Sequence, residues 1–197
     1  MNGTTRRRVL LDTLTGAGAM ALAASLPEVA VAADQKLSTG DIHDFDFFVG
    51  TWKGENRRLK KRWVGSKDWD TFPNTLICGS RLGGIVNLDY EVNFPTQGWQ
   101  GMTVRIFNPT KRQWSLYWIN SRTGELFPPV VGGFTGDHGE FYGDDTDDGR
   151  PIKVVFKWDR LGPGKARWQQ AFSLDGKTWE TNWICDHTRV STSLGSC

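Results

Sequence analysis

The stretch Thr178 to Arg189 holds the side chains most able to do chemistry. Read with a period of two, it puts Trp179, Thr181, Trp183, Cys185, His187 and Arg189 on one face, and Glu180, Asn182, Ile184, Asp186 and Thr188 on the other. The tryptophan-rich face is the better interior face, which sets His187 near one mouth of a closed sheet, close to Trp183. A desolvated imidazole there could work as a general base. Tyr142 and Glu91 are the other candidate acids or bases for a cofactor-independent lyase, isomerase or hydrolase reaction. The simpler reading of His187 is a hydrogen-bonded or surface histidine, because no partner constellation accompanies it in the sequence.

A second pattern suits binding better than catalysis. Gln113 to Arg122 sets Trp114, Leu116, Trp118 and Asn120 against Ser115, Tyr117, Ile119 and Ser121, and Trp168, Gln170 and Phe172 repeat large apolar walls around one amide. Pockets for small molecules have this composition, and so do aromatic cores with one satisfied amide. The expected ligand wall is Trp114, Trp118, Trp168 and Trp183, with Tyr117, Asn120, Arg122, Gln170 and His187 as polar contacts. Arg105, Arg122 and Arg167 could each grip a carboxylate or phosphate if they face inward, although a strand arginine ordinarily faces solvent.

Other chemistries lack their residues. Asp144-Asp145-Thr146-Asp147-Asp148-Gly149 resembles the start of a calcium loop, but its twelfth position is Val155 where a bidentate Glu is required, so a solvated acidic turn is expected. Zinc spacing, nucleophile elbows and phosphate-cradling glycine loops are missing from the sequence, so neither a metal nor a cofactor is expected. With 24 Lys and Arg against 22 Asp and Glu there is no net basic field for nucleic acid, which is not an expected partner.

These residues need elements to hold them. Ten Trp, eleven Phe and 23 Gly favour many short strands over long helices. Asp41 can cap a short helix that carries Ile42, Phe45 and Phe48 on one face, suited to plug one end of a sheet. From Gly50 the pattern turns to period two. Strands are expected over Trp52 to Lys61, Asp68 to Gly79, Ile85 to Phe94, Met102 to Phe107, Gln113 to Asn120, Gly133 to Tyr142, Ile152 to Trp158, Ala166 to Leu174 and Thr178 to Arg189. Asp175-Gly176 is a hairpin turn signal. Strands joined by short turns without helical crossovers predict an all-β, up-and-down antiparallel barrel of about 8–10 strands, with a two-sheet sandwich as the alternative.

The text Phe47-Phe48-Val49-Gly50-Thr51-Trp52-Lys53-Gly54 resembles the opening of the calycin barrels, which include lipocalins, fatty-acid-binding proteins and nitrobindins. The resemblance implies that Trp52 closes the barrel floor and that Arg189 stacks on it. It also makes His187 a candidate haem ligand by position, with Asn56 standing where nitrobindin-like barrels carry a third glycine. The remaining text is most similar to functionally uncharacterised bacterial calycin-like proteins.

The amino-terminal residues address the chain. Thr5-Arg6-Arg7-Arg8-Val9-Leu10 carries the twin-arginine pattern, a weakly apolar run to Leu26 follows, and Ala30-Val31-Ala32 supplies a small-x-small cleavage site. Asp12 and Thr13 make the run too polar for a stable membrane span. The expected organisation is a signal peptide over 1–32, a flexible linker over 33–40, the barrel over 41–190 and a mobile tail over 191–197. The expected partner in export is the twin-arginine translocon, and the destination is the periplasm or the medium. An oxidising compartment would allow one disulfide, and Cys78 with Cys185 is the pair to test. The functional expectation is a small-molecule-binding barrel, with an enzyme or a haem protein using the same interior as alternatives.

Overall fold

A computed structural model of the protein describes residues 37–193. The leader expected over 1–32, the first half of the expected linker (33–36) and residues 194–197 of the expected tail lie outside the described residues. Ten strands follow one another: β1 (Gly50–Leu59), β2 (Trp69–Arg81), β3 (Val86–Phe94), β4 (Trp99–Asn108), β5 (Gln113–Asn120), β6 (Val130–Thr135), β7 (His138–Asp147), β8 (Arg150–Arg160), β9 (Lys165–Ser173) and β10 (Glu180–Ser191). Each pairs antiparallel with its sequence neighbours, and β10 closes on β1 to make an up-and-down barrel. Closure leaves no sheet edge, and the architecture is compatible with a calycin-like fold. Among the described residues no helix is long and apolar enough to cross a membrane.

Three local expectations are corrected. The stretch expected as one strand over Gly133 to Tyr142 is a hairpin of β6 and β7, turning at Gly136, whose φ of 61° suits glycine. The acidic stretch is not a turn from Asp144 onward: β7 continues to Asp147, which pairs with Arg150 across the Asp148-Gly149 turn. The link between β9 and β10 is longer than a two-residue hairpin. Asp175 organises it by accepting the Lys177 and Thr178 amides at 2.8 and 2.7 Å, and these bonds hold its pKa down to about 2. As a result Trp179 precedes β10, and it packs on Tyr142 outside the barrel rather than lining it.

The expected α-helix at the floor is replaced by turns ending in one 3-10 turn, Asp46–Phe48. Its bonds run from i+3 to i: Asp44 N to Asp41 O at 3.1 Å, Asp46 N to His43 O at 3.1 Å and Phe48 N to Phe45 O at 3.0 Å. Three-residue winding eclipses positions i and i+3, so Phe45 and Phe48 enter the barrel together, 1% and 0% exposed. Phe48 stacks on Trp52 at 4.8 Å, and its carbonyl accepts the Trp52 indole N–H at 2.8 Å. The Arg189 guanidinium lies 4.5 Å over the other ring and donates to the carbonyls of Val49 and Phe47. One end of the barrel is thereby sealed.

Candidate functional site

Above this floor the inward face of every strand contributes to one polar and aromatic interior. On β1 it runs through Trp52, Gly54, Asn56 and Arg58. Gly54 must lack a side chain, because a Cβ there would stand 2.1 Å from Asn74 Oδ1 and 2.7 Å from Cys185 Sγ. In that space Asn74 Oδ1 accepts Asn56 Nδ2 at 2.8 Å and Cys185 Sγ at 3.3 Å, while Asn56 Oδ1 accepts the Trp183 indole N–H at 2.9 Å. The chain of bonds locks one cavity wall.

A second cluster is charged. Arg105 is 1% exposed and makes a bidentate pair with Asp89, Nη1 to Oδ1 at 2.8 Å and Nη2 to Oδ2 at 2.7 Å, and its Nη1 also reaches Asn87 Oδ1 at 2.7 Å. Phe45, Phe48 and Trp158 surround the guanidinium at 4.9–5.4 Å. A buried charge needs such pairing, since desolvation is costly unless hydrogen bonds replace water. The sequence-level expectation of an outward Arg105 is therefore wrong. Met102 and Ile106 take the outer face of β4 instead, at 36% and 39% exposed.

His187 sits between the clusters. Its ring lies flat on Trp158 at 5.6 Å and edge-on to Phe48 at 5.1 Å, and its Nδ1 is 3.8 Å from Cys185 Sγ. Burial pushes its pKa down to about 4, with Arg105 adding to that direction and Asp89 and Asp186 opposing it. Burial likewise pushes the Cys185 thiol well up. Both groups are thus neutral at pH 7, so the pair is not a thiolate–imidazolium nucleophile. Cys78 and Cys185 are free. Cys78 is level with Gly50 on β1 and Cys185 with Asn56, which separates them by about 20 Å along the sheet, far beyond disulfide reach.

The space these walls leave is in two parts that share wall residues. An inner cavity of about 100 Å³ is bounded by Asn56, Asn74, Arg105, Trp158, Trp168 and His187 among others. A mouth cavity of about 290 Å³ lies above it at the end opposite the floor, edged by Arg58, Trp99, Asn120, Arg122 and Phe127. Leu116, Trp118, Phe156, Gln170 and Trp183 belong to both.

Of the residues expected to bind a ligand, Trp118, Trp168, Gln170, Trp183 and His187 reach the inner cavity, and Asn120 and Arg122 reach the mouth. Trp114 does not. It is buried against Phe45, with its indole N–H held by Asp41 O at 3.0 Å. Tyr117 alternates with the inward residues of β5 and faces outward. Two candidate acids or bases are also outside: Glu91 is exposed and accepts Gln100 Nε2 at 2.5 Å, and Tyr142 donates to Glu140 at 2.7 Å. Arg167 is on the outer surface, paired with Asp186 at 2.6 Å. The acidic stretch is partnered by cations, Asp144 by Lys153 and Asp147 by Arg62. Among the described residues no group of three or more His, Cys, Asp or Glu is placed to hold a metal ion.

The residues missed from sequence are Asn56, Asn74, Asp89 and Arg58, while Arg105 was named as a possible anion-binding residue but expected to face outward. Extending the Trp52 face along β1 reaches Asn56 and Arg58, and the Phe72–Leu76 face of β2 includes Asn74, so these three had a signal. The haem suggested by the position of His187 does not fit. The imidazole is covered by Trp158 and Phe48, whose rings a haem bound at its nitrogens would have to displace. Compared with known proteins, the chain matches no family model and no curated protein.

Proposed function

We propose that the protein is a calycin-like carrier or receptor that holds a small organic molecule with a flat apolar body inside its barrel. The observation that carries this reading is the pair of adjoining cavities that share Trp118, Phe156, Gln170 and Trp183 as walls, one at the mouth and one reaching the amide pair Asn56 and Asn74. Aromatic walls supply most of the contact area, and a few convergent amides orient the guest. Binding is favoured over catalysis because Tyr142 and Glu91 face away from this space. His187 lines it, but with a pKa of about 4 it is a weak base at neutral pH.

The test uses the chain exported by its own host and analysed by native mass spectrometry, together with calorimetric titration of 2-naphthamide. A retained small molecule, or one saturable site for the probe that disappears in Thr103→Phe, supports the reading, since Thr103 borders the inner cavity and a ring there fills it. A chain that carries nothing and binds no probe overturns it. The leader makes the proposed place of action the periplasm or the medium. Replacing Arg6 and Arg7 by Lys should then retain the protein in the cytoplasm, and continued export by the twin-lysine variant would overturn that route.

A further inference from the structure

The mouth carries two guanidinium groups that have no paired anion among the described residues. Arg58, at the end of β1, is partly buried, and Arg122 follows β5 across the same opening. Among the described residues neither side chain has a hydrogen-bond or ion-pair partner. Their contacts are aromatic: Arg58 lies 4.8 Å over Trp183 and Arg122 lies 5.9 Å over Trp99. The third arginine of the mouth shows the contrast. Arg62 donates to Asp147 through Nε at 2.9 Å and through Nη2, and Asp147 also accepts the Trp63 indole N–H at 2.7 Å.

We propose that Arg58 and Arg122 form a site for the carboxylate of an aromatic or similarly flat organic acid whose body lies between Trp99, Trp118 and Trp183. The proposal rests on the binding function above and names its ligand class. Three physical points support it. Trp183 is immobilised by its bond to Asn56, so the guanidinium resting on it is positioned before the ligand arrives. A partly desolvated cation without a protein anion is an unfavourable arrangement that a bound anion relieves. The charges facing the site add to a positive field: Arg58, Arg62 and Arg122 oppose Asp145 and Asp147, and Asp147 is already engaged by Arg62. Burial disfavours the charged forms of both Asp145 and Arg58, raising the pKa of the first and lowering that of the second, and Arg62 and Arg122 add to the shift of Arg58.

The full chain is titrated by calorimetry with 2-naphthoate and with its neutral counterpart 2-naphthamide. Wild type should bind the acid about 10-fold or more tightly than the amide, a preference that shrinks at 1 M salt. Arg58→Gln and Arg122→Gln should each cut the affinity for the acid by about 10-fold more than that for the amide. Among the described residues neither side chain holds another by a hydrogen bond, and retained amide binding also verifies that the variants are folded. Equal affinities for the two probes in wild type, or a preference for the acid that survives both substitutions, would overturn the anion site and leave the binding function standing. Failure of both probes would overturn the binding function itself, and the anion site with it.

Discussion

Arg105 and Asp89 are the residues on which the interior turns, because a fully buried ion pair is tolerated only while both members are present. Asp89→Asn should lower stability by about 3–5 kcal/mol, measured by urea denaturation. The double replacement Asp89→Leu with Arg105→Met should recover much of that loss; a double variant as unstable as the single would contradict the account. His187 adds a pH dependence whose sign follows from its neutrality. In the unfolded chain it takes a proton near pH 6.5, and in the barrel only near 4. Between those values the unfolded state binds more protons, so stability falls as pH drops through that window and the term is complete below about 4. Its size is on the order of 3 kcal/mol. His187→Gln should flatten the fall in melting temperature between pH 7 and 4.5 relative to wild type, and parallel profiles would remove the imidazole as its source. Arg105 was visible in the sequence as a strand residue but not as an inward one. Nothing in the alternation of β4 distinguishes a face of Thr103, Arg105 and Phe107 from one of Met102, Val104 and Ile106, and the second is the more apolar.

The strands were mostly legible, because alternation and turn chemistry are local. Gln113–Asn120 is read to the residue, and β1, β3, β8 and β9 within a few residues of their ends. The misreadings occur where short-range signals compete. Gly136 was absorbed into a strand that is in fact a hairpin, and the acidic side chains of Asp144 to Asp147 suggested a turn although Arg62, Lys153 and Trp63 bind them within a regular strand. The floor winds as a 3-10 turn because two phenylalanines three residues apart must reach the same cavity. Pairing also varies around the barrel. β5 and β6 share only three register pairs, and beyond them residues 121–129 are tied to β5 by a single bridge, Ile119 with Leu126, and the Phe127 N–H to the Trp118 carbonyl at 2.9 Å, whereas β7 and β8 are paired from His138 to Asp147. Amide exchange should therefore be faster for Ile119 to Phe127 than for β7 and β8. Mass-resolved exchange at neutral pH tests this, and uniform protection around the barrel would count against a weak seam.

At the scale of the molecule, closure separates a sealed end from an open one. The floor is held by Trp52, Phe48 and Arg189, and the mouth is bordered by Arg58, Asn120 and Arg122. Closure also holds Cys78 and Cys185 apart, so export to an oxidising compartment should leave both as thiols. Native protein should resist an alkylating reagent at both positions, while denatured but unreduced protein should be labelled at both. Mapping a Cys78–Cys185 cross-link by mass spectrometry would refute the strand register. Ligand binding should stabilise the whole barrel, by about 2.7 kcal/mol at a 2-naphthoate concentration 100 times its Kd. Thermal shift reads this directly.

By itself the sequence determined that the domain is all-β, that its strands are short and antiparallel, and that tryptophans gather in the second half of the chain. Each of these follows from the two-residue repeat of a strand and from turns a few residues long. Which face of each strand lies inside was decided by the tertiary structure. Closing the sheet brings Asp89 beside Arg105 and Asn56 beside Asn74 and Trp183, so polar side chains that would be costly to bury alone satisfy one another. That satisfaction depends on partners tens of residues away. It turns the less apolar face of β4 inward and leaves Arg58 and Arg122 at the mouth with no paired anion among the described residues.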